Sequence, residues 1–179
     1  RKGAAVEMYR SLVDNEQREI ARRALQRVAL YTSDNRVAGF EKALKDFKER
    51  YADDPFAAYC LWILGREALR RKDVKNAEGY FIEGLSKFPD GENADRMKFW
   101  LYKFSEGRGD RDKAERAFRD LVANNPDSTL TWTLMERRAS GYTADGLAGE
   151  FARAVSEGRR TDYLFAHTML FLLEKDPGR

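Results

Sequence analysis

Apolar residues recur every three or four positions along most of the chain. In residues 16–31 the recurring residues are Ile20, Ala24, Val28 and Tyr31, one stripe of an amphipathic helix. The same spacing predicts helices over 4–13, 36–51, 56–71, 74–87, 93–106 and 111–124. Their inward faces carry Phe40, Ala43, Leu44 and Phe47, then Cys60, Leu61, Leu64 and Ala68, then Ala77, Phe81 and Leu85. Met97, Trp100, Leu101 and Phe104 follow, and then Ala114, Phe118, Leu121 and Val122. Weaker periodicity predicts three more helices over 128–138, 145–157 and 161–175. Between these runs stand residues that cap or break helices: Thr32-Ser33-Asp34-Asn35, Asp53-Asp54-Pro55, Asp73, Asp110 and Asn125-Pro126. No stretch alternates apolar and polar residues with the β-branched enrichment of a strand. The pattern predicts an all-α chain of about ten helices joined by short links.

Three stretches align. They read ALKDFKERYADDP (43–55), AEGYFIEGLSKFP (77–89) and AERAFRDLVANNP (114–126). Each places alanine first, phenylalanine four residues later and proline eight beyond that. The prolines are 34 and then 37 residues apart, a period typical of helical solenoids. Small alanine lets paired helices approach, phenylalanine fills the space one turn on, and proline ends the pair. The central unit adds Leu61, Leu64-Gly65 and Gly84. It resembles the tetratricopeptide repeat, whose period is about 34 residues. The third unit has Tyr102 where that family places a small residue, and its three extra residues fall in the 89–93 turn. The resemblance covers about 16–140. It implies a right-handed superhelical stack of antiparallel helix hairpins, one helical-repeat domain over 1–179, with degenerate or capping helices over 141–179. The stretches 51–73 and 124–142 also look like repeats of bacterial cell-envelope proteins. Among these are outer-membrane-assembly lipoproteins, periplasmic coordinators of cell division and the helical, non-catalytic part of soluble lytic transglycosylases. That likeness implies a periplasmic or envelope setting over a cytoplasmic one.

Composition narrows function mainly by exclusion. The 33 basic and 30 acidic residues leave a net charge of +3, too even for the clustered basic face of a nucleic-acid binder. One cysteine, Cys60, excludes an intramolecular disulfide. No apolar run approaches the ~20 residues of a membrane span. The start at Arg1 and the terminal DPGR both read as trimmed, so the lack of a leader does not place the chain in a compartment. No nucleotide-binding, zinc-protease, CxxC or EF-hand motif occurs. His167 is read as a core or rim residue of its helix rather than a base or ligand. Cys60 lies on an apolar stripe and is read as a small buried hydrophobe. No catalytic residue, metal site or cofactor is expected.

Basic doublets recur at Arg22-Arg23, Arg70-Arg71, Arg137-Arg138 and Arg159-Arg160. They suit helix C-termini, where cations are favoured. The family resemblance implies more, because the first helix of each pair lines a concave groove. By that register Tyr59, Trp62, Arg66 and Arg70 line it in the central unit, then Arg96, Phe99 and Lys103, then Arg137. Aromatic and basic side chains on one surface suit a protein or peptide partner with acidic or C-terminal carboxylate groups. The alternative placement packs Trp62 and Phe99 under neighbouring helices. Two functions follow: a non-enzymatic binding scaffold, or the non-catalytic helical portion of a larger envelope enzyme such as a lytic transglycosylase.

Overall fold

Capping side chains open α-helices at Asp73, Asp110 and Thr143, whereas the helices beginning at Arg18, Phe40, Phe56 and Thr129 start without a side-chain cap. In a computed structural model describing residues 2–175, ten α-helices run in order. They are α1 (Lys2–Ser11), α2 (Arg18–Asp34), α3 (Phe40–Arg50), α4 (Phe56–Arg70) and α5 (Val74–Lys87). Then come α6 (Ala94–Gly107), α7 (Arg111–Asn124), α8 (Thr129–Arg138), α9 (Ala144–Ser156) and α10 (Arg160–Lys175), with a 3₁₀ turn at Ala139–Gly141 after α8. No strand occurs among the described residues; Arg1 and 176–179, the DPGR tail, lie outside them. Asp73 accepts from the Asn76 N–H at 3.2 Å and Asp110 from the Lys113 N–H at 3.1 Å, each satisfying an otherwise orphaned donor of the first turn. Thr143 caps α9 in the same way through the Gly146 N–H.

Four helices share one type of ending. The residue after the C-cap is left-handed at Arg36 (φ 49°), Lys72 (φ 62°), Gly109 (φ 73°) and Gly158 (φ 68°). The next residue then donates its N–H back across the last turn: Val37 to Thr32, Asp73 to Ala68, Asp110 to Ser105 and Arg159 to Ala154, at 2.9–3.0 Å. This satisfies helix-terminal carbonyls. One expected cap is absent for the same reason. Thr32-Ser33-Asp34 forms the last turn of α2 instead of opening the next helix, with the Thr32 hydroxyl donating to the Val28 carbonyl at 2.7 Å. The α2 face is also rotated relative to the expected stripe. Ala21, Leu25 and Ala29 join Ala24 and Val28 inside, while Ile20 is exposed.

The chain divides into two compact units, Arg1–Ala94 and Asp95–Arg179. In the first, each helix packs on its sequence neighbour from α1 to α5, and α2 also touches α4. Its core holds Leu25, Ala29, Leu44, Phe47, Cys60 and Leu64. In the second, α10 packs on α9 and also reaches back to α7. Phe118, Leu121, Met135, Phe165 and Met169 lie at its centre. The three aligned phenylalanines, Phe47, Phe81 and Phe118, are all fully buried. That is the role their common spacing predicts. Fully burying such a side chain is worth roughly 1.5–3 kcal/mol.

Candidate functional site

The stripe predicted on α4 divides between exposed and buried residues. Tyr59 is half-buried, with its ring stacked on Phe56 at 5.1 Å. Its hydroxyl donates to Asp34 Oδ1 at 3.3 Å and lies 3.4 Å from Ser33 Oγ. Burial pushes the Tyr59 phenol above its ordinary value. Trp62 is only 7% exposed and stacks on Phe81, centroid to centroid at 5.6 Å. It therefore belongs to the packing of the hairpin, and little of its ring is open to a partner. Arg66 and Arg70 are exposed. The Arg66 guanidinium lies 5.9 Å from the Trp62 ring centroid.

Glu67 orders the basic end of this stripe. It is a buried carboxylate, 5% exposed. Arg70 Nε donates to its Oε2 at 2.7 Å, and an Arg36 guanidinium nitrogen stands 3.9 Å from its Oε1. Two cations from different segments thus converge on one acid. Glu67 could not be assigned from sequence, because Arg36 lies thirty-one residues away.

Tyr59 also borders a cleft of about 460 Å³. Gln26 and Leu30 come from α2, Phe56 and Ala58 from α4, and Phe88, Gly91, Glu92 and Asn93 from the link after α5. The register implied by the repeat resemblance placed Tyr59 on the groove surface. It could not show that Phe88 and Glu92 are brought beside it.

Within Asp95–Arg179, Arg96 and Arg137 are exposed and Phe99 is half-buried. The Phe99 ring meets Trp100 edge-on at 6.1 Å, and Phe99 packs against the core of this unit. Lys103 pairs with Glu106. Hydrogen bonds from Lys103 and Tyr102 hold the Glu106 carboxyl below its ordinary value, and the nearby Arg137 charge adds to this. Of the predicted basic residues in this unit, Lys103 is thus held against Glu106.

A second polar cluster lies deeper. Glu115 accepts from Arg138 at 2.6 Å, Tyr142 at 2.9 Å and Arg119 at 2.8 Å. Arg119 also pairs with Glu150 and Asp162. Its guanidinium lies 4.3 Å from the Phe165 ring centroid, and that of Arg138 lies 4.3 Å from Phe118. This cluster ties α7 and α8 to α9 and α10. Arg138, expected as a solvated helix end, is half-buried in it, held between Glu115 and the Phe118 ring.

His167 is exposed, next to the rings of Phe151 and Tyr163 at 6.3 Å. Cys60 is buried, and burial pushes its thiol up, away from the thiolate form a nucleophile needs. Among the described residues, no three metal-capable side chains converge, and no helix is long and apolar enough to cross a membrane. No protein-family model matches the chain, and no curated protein is significantly similar to it.

Proposed function

We propose that this chain is a non-enzymatic, tetratricopeptide-like helical scaffold that binds a protein or peptide segment along the exposed stripe of α4. One observation carries the reading: Tyr59, Arg66 and Arg70 fall on a single line of that helix. At 3.6 residues per turn, Arg66 and Arg70 lie about 20° to either side of Tyr59, and the rise spreads the three over roughly 16 Å. Both arginines are exposed, and Tyr59 opens onto the cleft. Guanidinium groups favour carboxylates through paired, charge-assisted hydrogen bonds, so an acidic side chain or a C-terminal carboxylate fits the far end. The close packing of Gly65 on Phe81 supports the repeat-like character of the hairpin, since no larger residue fits there.

The test is the double variant Arg66→Glu, Arg70→Glu. Partner proteins captured from the native host by the wild-type chain are expected to be lost. Arg66→Glu alone leaves the Arg70–Glu67 pair intact and is expected to keep the helical circular dichroism and to weaken capture by itself, which separates loss of binding from the like charge that Arg70→Glu sets beside the buried Glu67. Capture that persists unchanged in the variant would overturn the assignment of this stripe.

A further inference from the structure

We infer that the cleft beside Tyr59 takes a lysine or arginine side chain of the bound peptide, an inference that rests on the peptide-scaffold reading above. The cleft has room for a long side chain, at about 460 Å³. Its apolar wall is made by Leu30 and the rings of Phe56, Tyr59 and Phe88. Its one charged lining residue is Glu92, which is exposed and makes no ion pair among the described residues. No lysine or arginine lines it. A second carboxylate, Asp34, stands at the Tyr59 hydroxyl. Aromatic rings under an anionic rim attract a cation on an apolar stem: the methylenes lie along the rings and the charged head reaches the carboxylate. A purely apolar side chain would shield Glu92 from water without pairing it, and an acidic one would be repelled.

The same helix sets the spacing of the ligand. Arg66 and Arg70 lie seven and eleven residues beyond Tyr59, or about 10–17 Å along the axis. An extended peptide rises roughly 3.3 Å per residue. The basic residue therefore stands about three to five positions from the carboxylate that Arg66 and Arg70 receive. The ligand class is a segment that carries a cation and a carboxylate at that spacing.

The experiment uses the full chain and fluorescence anisotropy. The probes are four labelled heptapeptides of alanine and serine ending in glutamate with a free carboxylate. A single residue four positions before the end is arginine, lysine, norleucine or glutamate. The arginine and lysine peptides are expected to bind about tenfold more tightly than the norleucine peptide. Glu92→Gln, an exposed substitution in a link, is expected to reduce that preference to within about twofold. Arg66→Glu with Arg70→Glu is expected to weaken binding of all the peptides. Equal or tighter binding of the norleucine or glutamate peptide, still sensitive to the arginine variants, overturns the cationic cleft and leaves the scaffold reading standing. A preference for arginine and lysine that survives Glu92→Gln also overturns the role given to the cleft. Failure of every peptide to bind the wild-type chain overturns both.

Discussion

Gly65 and Phe81 meet so closely that one methyl group cannot be added between them. A Cβ built on Gly65 would lie 2.2 Å from Cε1 of the Phe81 ring and 2.8 Å from Cδ1 and Cζ. Gly65 lies in the middle of α4, where alanine would ordinarily be favoured by about 1 kcal/mol. Here the clash is the larger effect, because Phe81 is fully buried and already stacked on Trp62. Overpacking of this kind costs roughly 1–3 kcal/mol. Gly65→Ala is expected to lower the unfolding free energy in a denaturant titration. Adding Phe81→Leu should recover part of the loss in the double variant, because the two sites share one contact.

Trp62 shares that packing, and its replacement should register as instability. It is buried and stacked, so Trp62→Ala is expected to cost about 3–5 kcal/mol. The check is the denaturation midpoint. A variant as stable as the wild type would show that the ring is free, as a ligand contact would be.

Lys72 occupies a backbone position that glycine fills in the equivalent turns at Gly109 and Gly158. A left-handed conformation costs an L-residue roughly 1–2 kcal/mol, part of which glycine returns as unfolded-chain entropy. Lys72→Gly is therefore expected to stabilise the chain by about 0.5–1 kcal/mol, and Gly109→Ala to destabilise it by a similar amount. Thermal unfolding of the two variants should move in opposite directions.

Thr131 is fully buried, and its hydroxyl has no hydrogen-bond partner among the described residues. A buried polar group without a partner retains its desolvation cost. Thr131→Val keeps the shape and removes the hydroxyl, so stability is expected to rise by up to about 1 kcal/mol. A fall of that size in chemical denaturation would mean that the hydroxyl is satisfied.

Acid should loosen the second unit through Glu115. Burial pushes this carboxyl up, but the hydrogen bonds from Arg138 and Tyr142 outweigh it and hold the group below its ordinary value. The folded value thus lies below the unfolded one, near 4.3. The stabilisation is full above the unfolded value and drains away as pH falls through the folded one. Unfolding free energy is expected to drop as pH is lowered from about 5 toward 3. Glu115→Gln should make that limb shallower and cost roughly 1–3 kcal/mol at neutral pH, discounted for its partial exposure. An unchanged pH profile in the variant would remove Glu115 from the account.

The pattern of apolar residues was enough to determine the ten helices, most of their ends and the burial of Phe47, Phe81 and Phe118. These follow from local physics: 3.6-residue periodicity, capping hydrogen bonds, and the breaks imposed by proline and glycine. Asp73 and Asp110 cap as their positions predict. The register implied by the repeat resemblance put Tyr59, Trp62, Arg66 and Arg70 together on one face of α4; of these Trp62 is buried and the other three reach the surface. Only the tertiary structure decided what each face meets. It buried Trp62 against Phe81, turned Ile20 outward, drew Arg36 to Glu67, and placed Phe88 and Glu92 beside Tyr59. It also returned α10 to α7 and set Arg138 against Glu115. Periodicity shows which side of a helix is apolar. Which neighbour covers that side depends on packing and ion pairs between residues on different helices and links, and no local pattern records those contacts.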